Sequence, residues 1–274
     1  MSSPHRRRRR FAQPQEDGEG LIRAPELGRN GHRDKLEQHF GPLKREVSRL
    51  PQNVSFVFLC FLNRSGSNYL AELLASGGQY NRAMEILNYP AVIEMSQRRG
   101  FARFQDFFSD TVVRHQKSER FFVKAALQHL DILTRAGVLD QIAERSRFVM
   151  IERNDVLGQA ISFAIAFATG AFSSEAEGSG EPHEVAYSRE RLERHIYGIA
   201  HSRQQFAQFF GRNGIVPLRV MYEQLVADPE GEVVRLARDL GLSNFRLDMS
   251  RLRLERQAGP VNEEWRRRYL SERK

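Results

Sequence analysis

Seven consecutive apolar residues, Phe56-Val57-Phe58-Leu59-Cys60-Phe61-Leu62, break at the polar run Asn63-Arg64-Ser65-Gly66-Ser67-Asn68, after which Tyr69, Leu70, Leu73 and Leu74 recur at helical spacing. The run predicts a strand buried on both faces, and the spacing behind the turn predicts a helix starting near Ser65. The pattern then repeats. Phe121-Phe122-Val123-Lys124 reads as a second strand leading into a helix through Leu127, Leu130, Ile132 and Leu133, which stops at Gly137. Phe148 to Ile151 reads as a third strand, Glu152-Arg153-Asn154-Asp155 as its polar exit, and Val156 to Ala168 as the next helix. Pro217 to Tyr222 reads as a fourth strand, Glu223 to Asp228 as a loop and Pro229 to Leu240 as a helix. Such alternation predicts an α/β fold with a mostly parallel central sheet flanked by helices, where ligands collect beyond the carboxyl ends of the strands.

Outside these units, Leu36, Phe40, Leu43 and Val47 predict a helix over Asp34 to Arg49, interrupted at Gly41-Pro42. Residues 101–116 carry an aromatic stripe at Phe104, Phe107 and Phe108, which can bury itself in the core or in a homodimer. Another amphipathic helix is expected over Arg191 to Phe210. Tyr80 to Pro90 has no clear period, Ala171 to Ser188 is either a lid or a floppy insertion, and the tail beyond Gly241 is basic and polar.

A hydrophobic content of 41% in 274 residues is enough for a substantial core. Residues 1–33 are predicted to form a disordered basic arm, and 34–274 a single domain. The net charge is +8, but without Arg6-Arg7-Arg8-Arg9-Arg10 it falls to about +3, an ordinary surface. The arginine run is expected to be a solvated tail, with peripheral contact to an anionic membrane as the other reading and no specific nucleic acid as partner. Cys60 lies alone inside the first strand, so an intramolecular disulfide and a cysteine-rich metal centre are excluded. No apolar stretch approaches the roughly 18 residues needed to cross a bilayer, and no hydrophobic core follows the arginine run, which points to the cytoplasm.

The first strand-turn-helix unit suggests anion chemistry. The opening N–H groups of a helix lack carbonyl partners, Gly66 allows close approach to the backbone, and Arg64, Ser65, Ser67 and Asn68 add donors. An ordinary serine-capped turn is the alternative. The Gly-Lys-Ser/Thr ending of a Walker loop is missing, which disfavours a nucleoside triphosphatase or a kinase. Arg153 closes the third strand as Arg64 closes the first, and Ser162 reaches the same anion only if its helix flanks the crevice. Otherwise Arg153 pairs with Asp155 or Glu152 and Ser162 is a buried hydroxyl.

Asn63 to Leu70 resembles the 5'-phosphosulfate loop of sulfotransferases, especially the bacterial group typified by trehalose 2-sulfotransferase. Ala83 to Pro90, Glu152 to Phe163, Gly214 to Gly241, and Leu254 to Ala258 with Asn262 to Trp265 resemble segments of the same group in the same order. The resemblance implies a P-loop-like three-layer fold and the donor 3'-phosphoadenosine 5'-phosphosulfate (PAPS), with no metal. It gives Arg64, Ser65, Gly66, Ser67 and Asn68 to the 5'-phosphosulfate and Arg153 and Ser162 to the 3'-phosphate. Arg256 and Gln257 would fold over the nucleotide. Glu85 matches the position of the base that takes the proton of the acceptor hydroxyl, the acceptor being a hydroxylated small molecule, sugar or glycolipid. Relatives carry paired basic residues where this chain has Arg153-Asn154. Lys124 either binds the transferring group or acceptor or is a surface lysine, and His129 and His115 are weaker base candidates. Rival readings are a P-loop-like nucleotide or small-molecule kinase and a non-catalytic protein that binds anionic surfaces.

Overall fold

The computed structural model describes residues 21–47, 49–170, 185–252 and 259–272. Four strands, β1 (Ser55–Phe61), β2 (Arg120–Ala125), β3 (Ser146–Glu152) and β4 (Leu218–Met221), form one sheet in the order β2-β1-β3-β4, and every pairing is parallel. β1 lies at the centre, which explains its unbroken apolar run: Phe56, Phe58 and Cys60 face one core layer and Val57, Leu59 and Phe61 the other. Burial pushes the Cys60 thiol far up, so it behaves as a small apolar group.

One layer holds helices α1 (Gly31–Phe40), α3 (Tyr89–Arg99), α4 (Phe104–His115), α5 (Leu127–Arg135), α6 (Val138–Ile142), α7 (Val156–Thr169) and α8 (Arg189–Arg212). The other holds α2 (Ser67–Ala75), α9 (Tyr222–Ala227) and α10 (Pro229–Asp239). The last helix, α11 (Pro260–Ser271), buries Trp265 against Ile161, Ala164 and Ile165 of α7. The aromatic stripe of α4 is buried in this chain's own core, where Phe108 packs on Phe56 and Phe121.

Several expectations change. Residues 21–33 are packed, not a free arm: Ile22 is buried, and Asn30, fully buried, donates to the Gln128 carbonyl and to Asp131. Two well-spaced anchors hold a segment whose average composition reads as disordered. Helix α1 stops at Phe40, where Gly41 takes φ 80°, and does not resume after Pro42. The expected loop at 223–228 is helix α9, and the basic tail contains α11, which packs Val261, Trp265 and Tyr269, four residues apart, against α7 and its neighbours. Arg6 to Arg10, most of the 171–188 insertion, and Arg256 and Gln257 lie outside the described residues. Among the described residues no helix is long and apolar enough to cross a membrane.

Candidate active site

The loop after β1 turns by a backbone that few sequences tolerate. Arg64 has φ 63° and Gly66 φ 91°, so α2 opens at Ser67, slightly later than expected. A left-handed non-glycine residue costs roughly 1–2 kcal/mol and persists only where the surroundings hold it. The surroundings are specific: a Cβ on Gly66 would strike the Tyr222 ring, and the Asn63 carbonyl accepts from Gln159 Nε2 of α7 at 2.8 Å. Gln159 is fully buried, so α7 is fastened directly to the loop. Ser65 is also fully buried, and its Oγ has no partner.

Helix α7 does flank the crevice. Arg64 Nε donates to Ser162 Oγ at 2.9 Å, which joins residues that the sequence placed at different phosphates. Arg153 reaches the same place from β3. Its guanidinium lies 5.0 Å from the centre of the Tyr222 ring, and its buried Nε has no partner. Burial lowers the proton affinity of Arg64, and the facing charge of Arg153 lowers it further, with Tyr222 opposing. Two guanidiniums, one of them paired with Asp155, lie beside the partnerless Ser65 hydroxyl and Arg153 Nε and give the crevice a cationic character.

The turn before α7 is braced on both sides. Asp155 caps the helix by accepting from Gly158 N at 2.9 Å, and it pairs with Arg266 of α11 at 2.5 Å and Arg153 at 3.3 Å. Burial alone would raise the Asp155 carboxyl, but the Arg266 hydrogen bond, the Gly158 N–H and both arginine charges hold it below the usual range. Glu223 accepts from the N–H groups of Asn154 and Asp155 at 3.0 and 3.1 Å, while Arg203 of α8 donates to the Arg153 carbonyl. Arg203 and Arg266 thus bring cationic groups to a turn whose second basic residue is replaced by Asn154. Glu152 instead pairs with Arg219.

Across the crevice, Lys124 is 3% exposed, so the surface-lysine reading fails. Its Nζ donates to Glu85 Oε1 and to Asn68 Oδ1, both at 2.5 Å, and sits 4.4 Å from the centre of the Phe61 ring. Glu85 therefore shares a cation with the last residue of the loop. The aperiodic stretch before it is held like an edge strand: the Asn81 side chain bonds both backbone groups of Phe122, and Lys124 N donates to the Met84 carbonyl.

The other carboxylate oxygen is fixed by a relay whose direction the geometry determines. His129 Nδ1 accepts from Ala126 N at 3.1 Å, so the ring proton lies on Nε2 and is donated to Asn88 Oδ1 at 3.0 Å. The Asn88 amide then donates to Glu85 Oε2 at 3.1 Å. Burial drives the His129 pKa down to about 3, with His32 adding to the shift, so this imidazole is neutral and serves as a donor, not as a base. Burial raises Glu85, but the charge and hydrogen bond of Lys124, aided by Asn88, outweigh it and hold the carboxyl below its ordinary value. His115 is exposed at the end of α4.

The structure therefore gathers Arg64, Ser65, Gly66, Asn68, Lys124, Glu85, Arg153 and Ser162 at the carboxyl edge of the sheet. Ser67 opens α2 beside them. Sequence reading missed Tyr222, Gln159, Asn88, Arg203 and Arg266. Only Tyr222 carried a local signal, its place at the exit of the fourth strand.

Comparison with known proteins adds a family. The model described as Stf0 sulphotransferase matches residues 90–272, a span that includes Arg153 and Ser162 and begins after Glu85. Among solved structures, the sulfotransferase domain of the Synechococcus PCC 7002 olefin synthase is 14% identical, with 81% of this chain and 91% of that chain covered and a TM-score of 0.42. A sulfotransferase from Alicyclobacillus acidocaldarius is 16% identical, with 82% and 92% covered and a TM-score of 0.45. No curated protein matches the chain.

Proposed function

The chain belongs to the Stf0 sulphotransferase family and is a sulfotransferase, and from that premise we propose that it moves a sulfuryl group from PAPS to a hydroxyl of a carbohydrate or glycolipid-type acceptor, as in the trehalose-type group. One observation carries the donor assignment: Arg64 and Arg153 face one crevice in which the Ser65 hydroxyl and Arg153 Nε, both buried, lack partners. That arrangement suits a doubly phosphorylated nucleotide, whose anionic oxygens would take up those donors.

The transfer is an in-line displacement. The acceptor oxygen forms a bond to sulfur, the bond from sulfur to the 5'-phosphate oxygen breaks, and the hydroxyl proton passes to Glu85. The products are the sulfate ester and adenosine 3',5'-bisphosphate. Arg64 and the opening N–H groups of α2 stabilise charge on the departing phosphate, where fixed dipoles act without reorganising. Lys124 links the base to the loop through Asn68 and holds Glu85 ionised, ready to accept a proton.

Calorimetric titration with adenosine 3',5'-bisphosphate tests the donor reading without knowledge of the acceptor. Binding by the native protein, weakened at least ten-fold in both Arg64→Ala and Arg153→Ala, is expected. Absence of binding by folded native protein would sink it.

A further inference from the structure

A cleft of about 220 Å³ opens beside this crevice, between the carboxyl end of β1, the start of α5 and one stripe of α8. Three of its lining residues adjoin the catalytic groups. The Phe61 ring carries Lys124 Nζ, Asn63 opens the donor loop, and Phe163 follows Ser162. The α8 stripe is His195, Gly198, Ile199, Ser202 and Phe206, spaced by three and four residues so that one helix face looks into the cleft.

Part of the lining is apolar, with Leu62, Leu127, Ile199 and Phe206 drawn from the buried core, and Asn63, Gln128, Arg194, Ser202 and Gln205 complete it. The one polar atom left wanting is His195 Nε2, which is buried without a partner while its ring packs 4.7 Å from that of Phe163. Gly198 is telling. Glycine in the interior of a 24-residue helix is unfavourable, yet a Cβ there would meet nothing within 4 Å, so no packing constraint requires it. A side chain at that position would occupy the mouth of the cleft.

We infer that this cleft binds an apolar group of the carbohydrate or glycolipid-type acceptor, a ring or short hydrocarbon segment joined to the sugar that carries the reacting hydroxyl. This rests on the sulfotransferase reading and narrows its acceptor class. An engineered cavity of about 150 Å³ accepts benzene, so the volume here holds one ring with substituents.

The test uses the full chain and 2-naphthol as probe, followed by its own fluorescence with and without saturating adenosine 3',5'-bisphosphate. Native protein should bind the probe in both conditions. Gly198→Leu should weaken it at least ten-fold while binding the bisphosphate normally and melting no lower than the native protein. Ser202→Leu, on the same stripe, should act in the same direction. Failure of native protein to bind 2-naphthol, or unchanged affinity in both leucine variants, overturns the inference. Loss of bisphosphate binding with probe binding retained would instead overturn the donor reading and leave the apolar subsite standing.

Discussion

Removing the Ser162 hydroxyl asks whether this serine acts on the donor directly or through Arg64. The 2.9 Å bond from Arg64 Nε to Ser162 Oγ fixes the plane of a guanidinium that the positive φ of its own backbone aims into the crevice. Losing one hydrogen bond of this kind costs roughly 0.5–1.5 kcal/mol, about a two- to twelve-fold loss of affinity for adenosine 3',5'-bisphosphate in Ser162→Ala. Losing the charged partner of a phosphate costs roughly 1.5–3 kcal/mol, about a 12- to 160-fold loss in Arg64→Ala. If the serine works by orienting the arginine, the double variant loses no more than about 0.5 kcal/mol beyond Arg64→Ala, because the oriented group is already gone. Calorimetry on the four proteins of the cycle measures this coupling. Losses that add in full would refute the reasoning and return Ser162 to a separate phosphate, the role implied by family resemblance.

Glu85→Gln keeps the size of the side chain but cannot take a proton, and its amide NH2 necessarily faces one of the two donors, Lys124 or Asn88. Transfer from radiolabelled PAPS to any accepted alcohol should fall roughly 10²- to 10⁴-fold with bisphosphate affinity unchanged, and a fall in affinity equal to the fall in rate would count against a base role. Gly66→Ala should abolish bisphosphate binding in a protein that still gives a native far-ultraviolet spectrum, since a Cβ at φ 91° also strikes Tyr222; retained binding would show that the loop gives way. The His129 pKa of about 3 lies below its unfolded value of 6.5, so the unfolded chain takes up a proton there first and stability falls as pH drops from 6.5 towards 3. The slope from this one group approaches about 1.4 kcal/mol per pH unit below about pH 5.5, and the unfolding free energy obtained from denaturant titrations between pH 4.5 and 6.5 should depend less steeply on pH in His129→Gln; an unchanged slope would contradict the buried neutral imidazole.

Local chemistry was legible because it is written in consecutive residues. The apolar run of β1 reported burial on both faces, and the three further strand-turn-helix units reported a parallel sheet with the candidate site at its carboxyl edge. Arg64 and Gly66 could be singled out, since a phosphate-sized turn needs that glycine and a nearby cation. The partners of these residues were not legible. Gln159 lies 96 positions from the Asn63 carbonyl it grips, and Arg266 lies 111 from Asp155, separations that no periodicity encodes. The reach of Ser162 to Arg64 depended on which side of β1 helix α7 packs, a matter settled by β3 pairing beside β1. Lys124 resembled a surface lysine because burying an amine is costly unless a carboxylate meets it, and Glu85 does so only once Asn81 and Met84 have zipped their segment onto β2. Sequence alone determined the four strand-turn-helix units and pointed to an anion-binding turn, through short-range sterics and hydrophobic spacing. The tertiary structure decided which charges share a crevice, because that depends on packing between segments far apart in the chain.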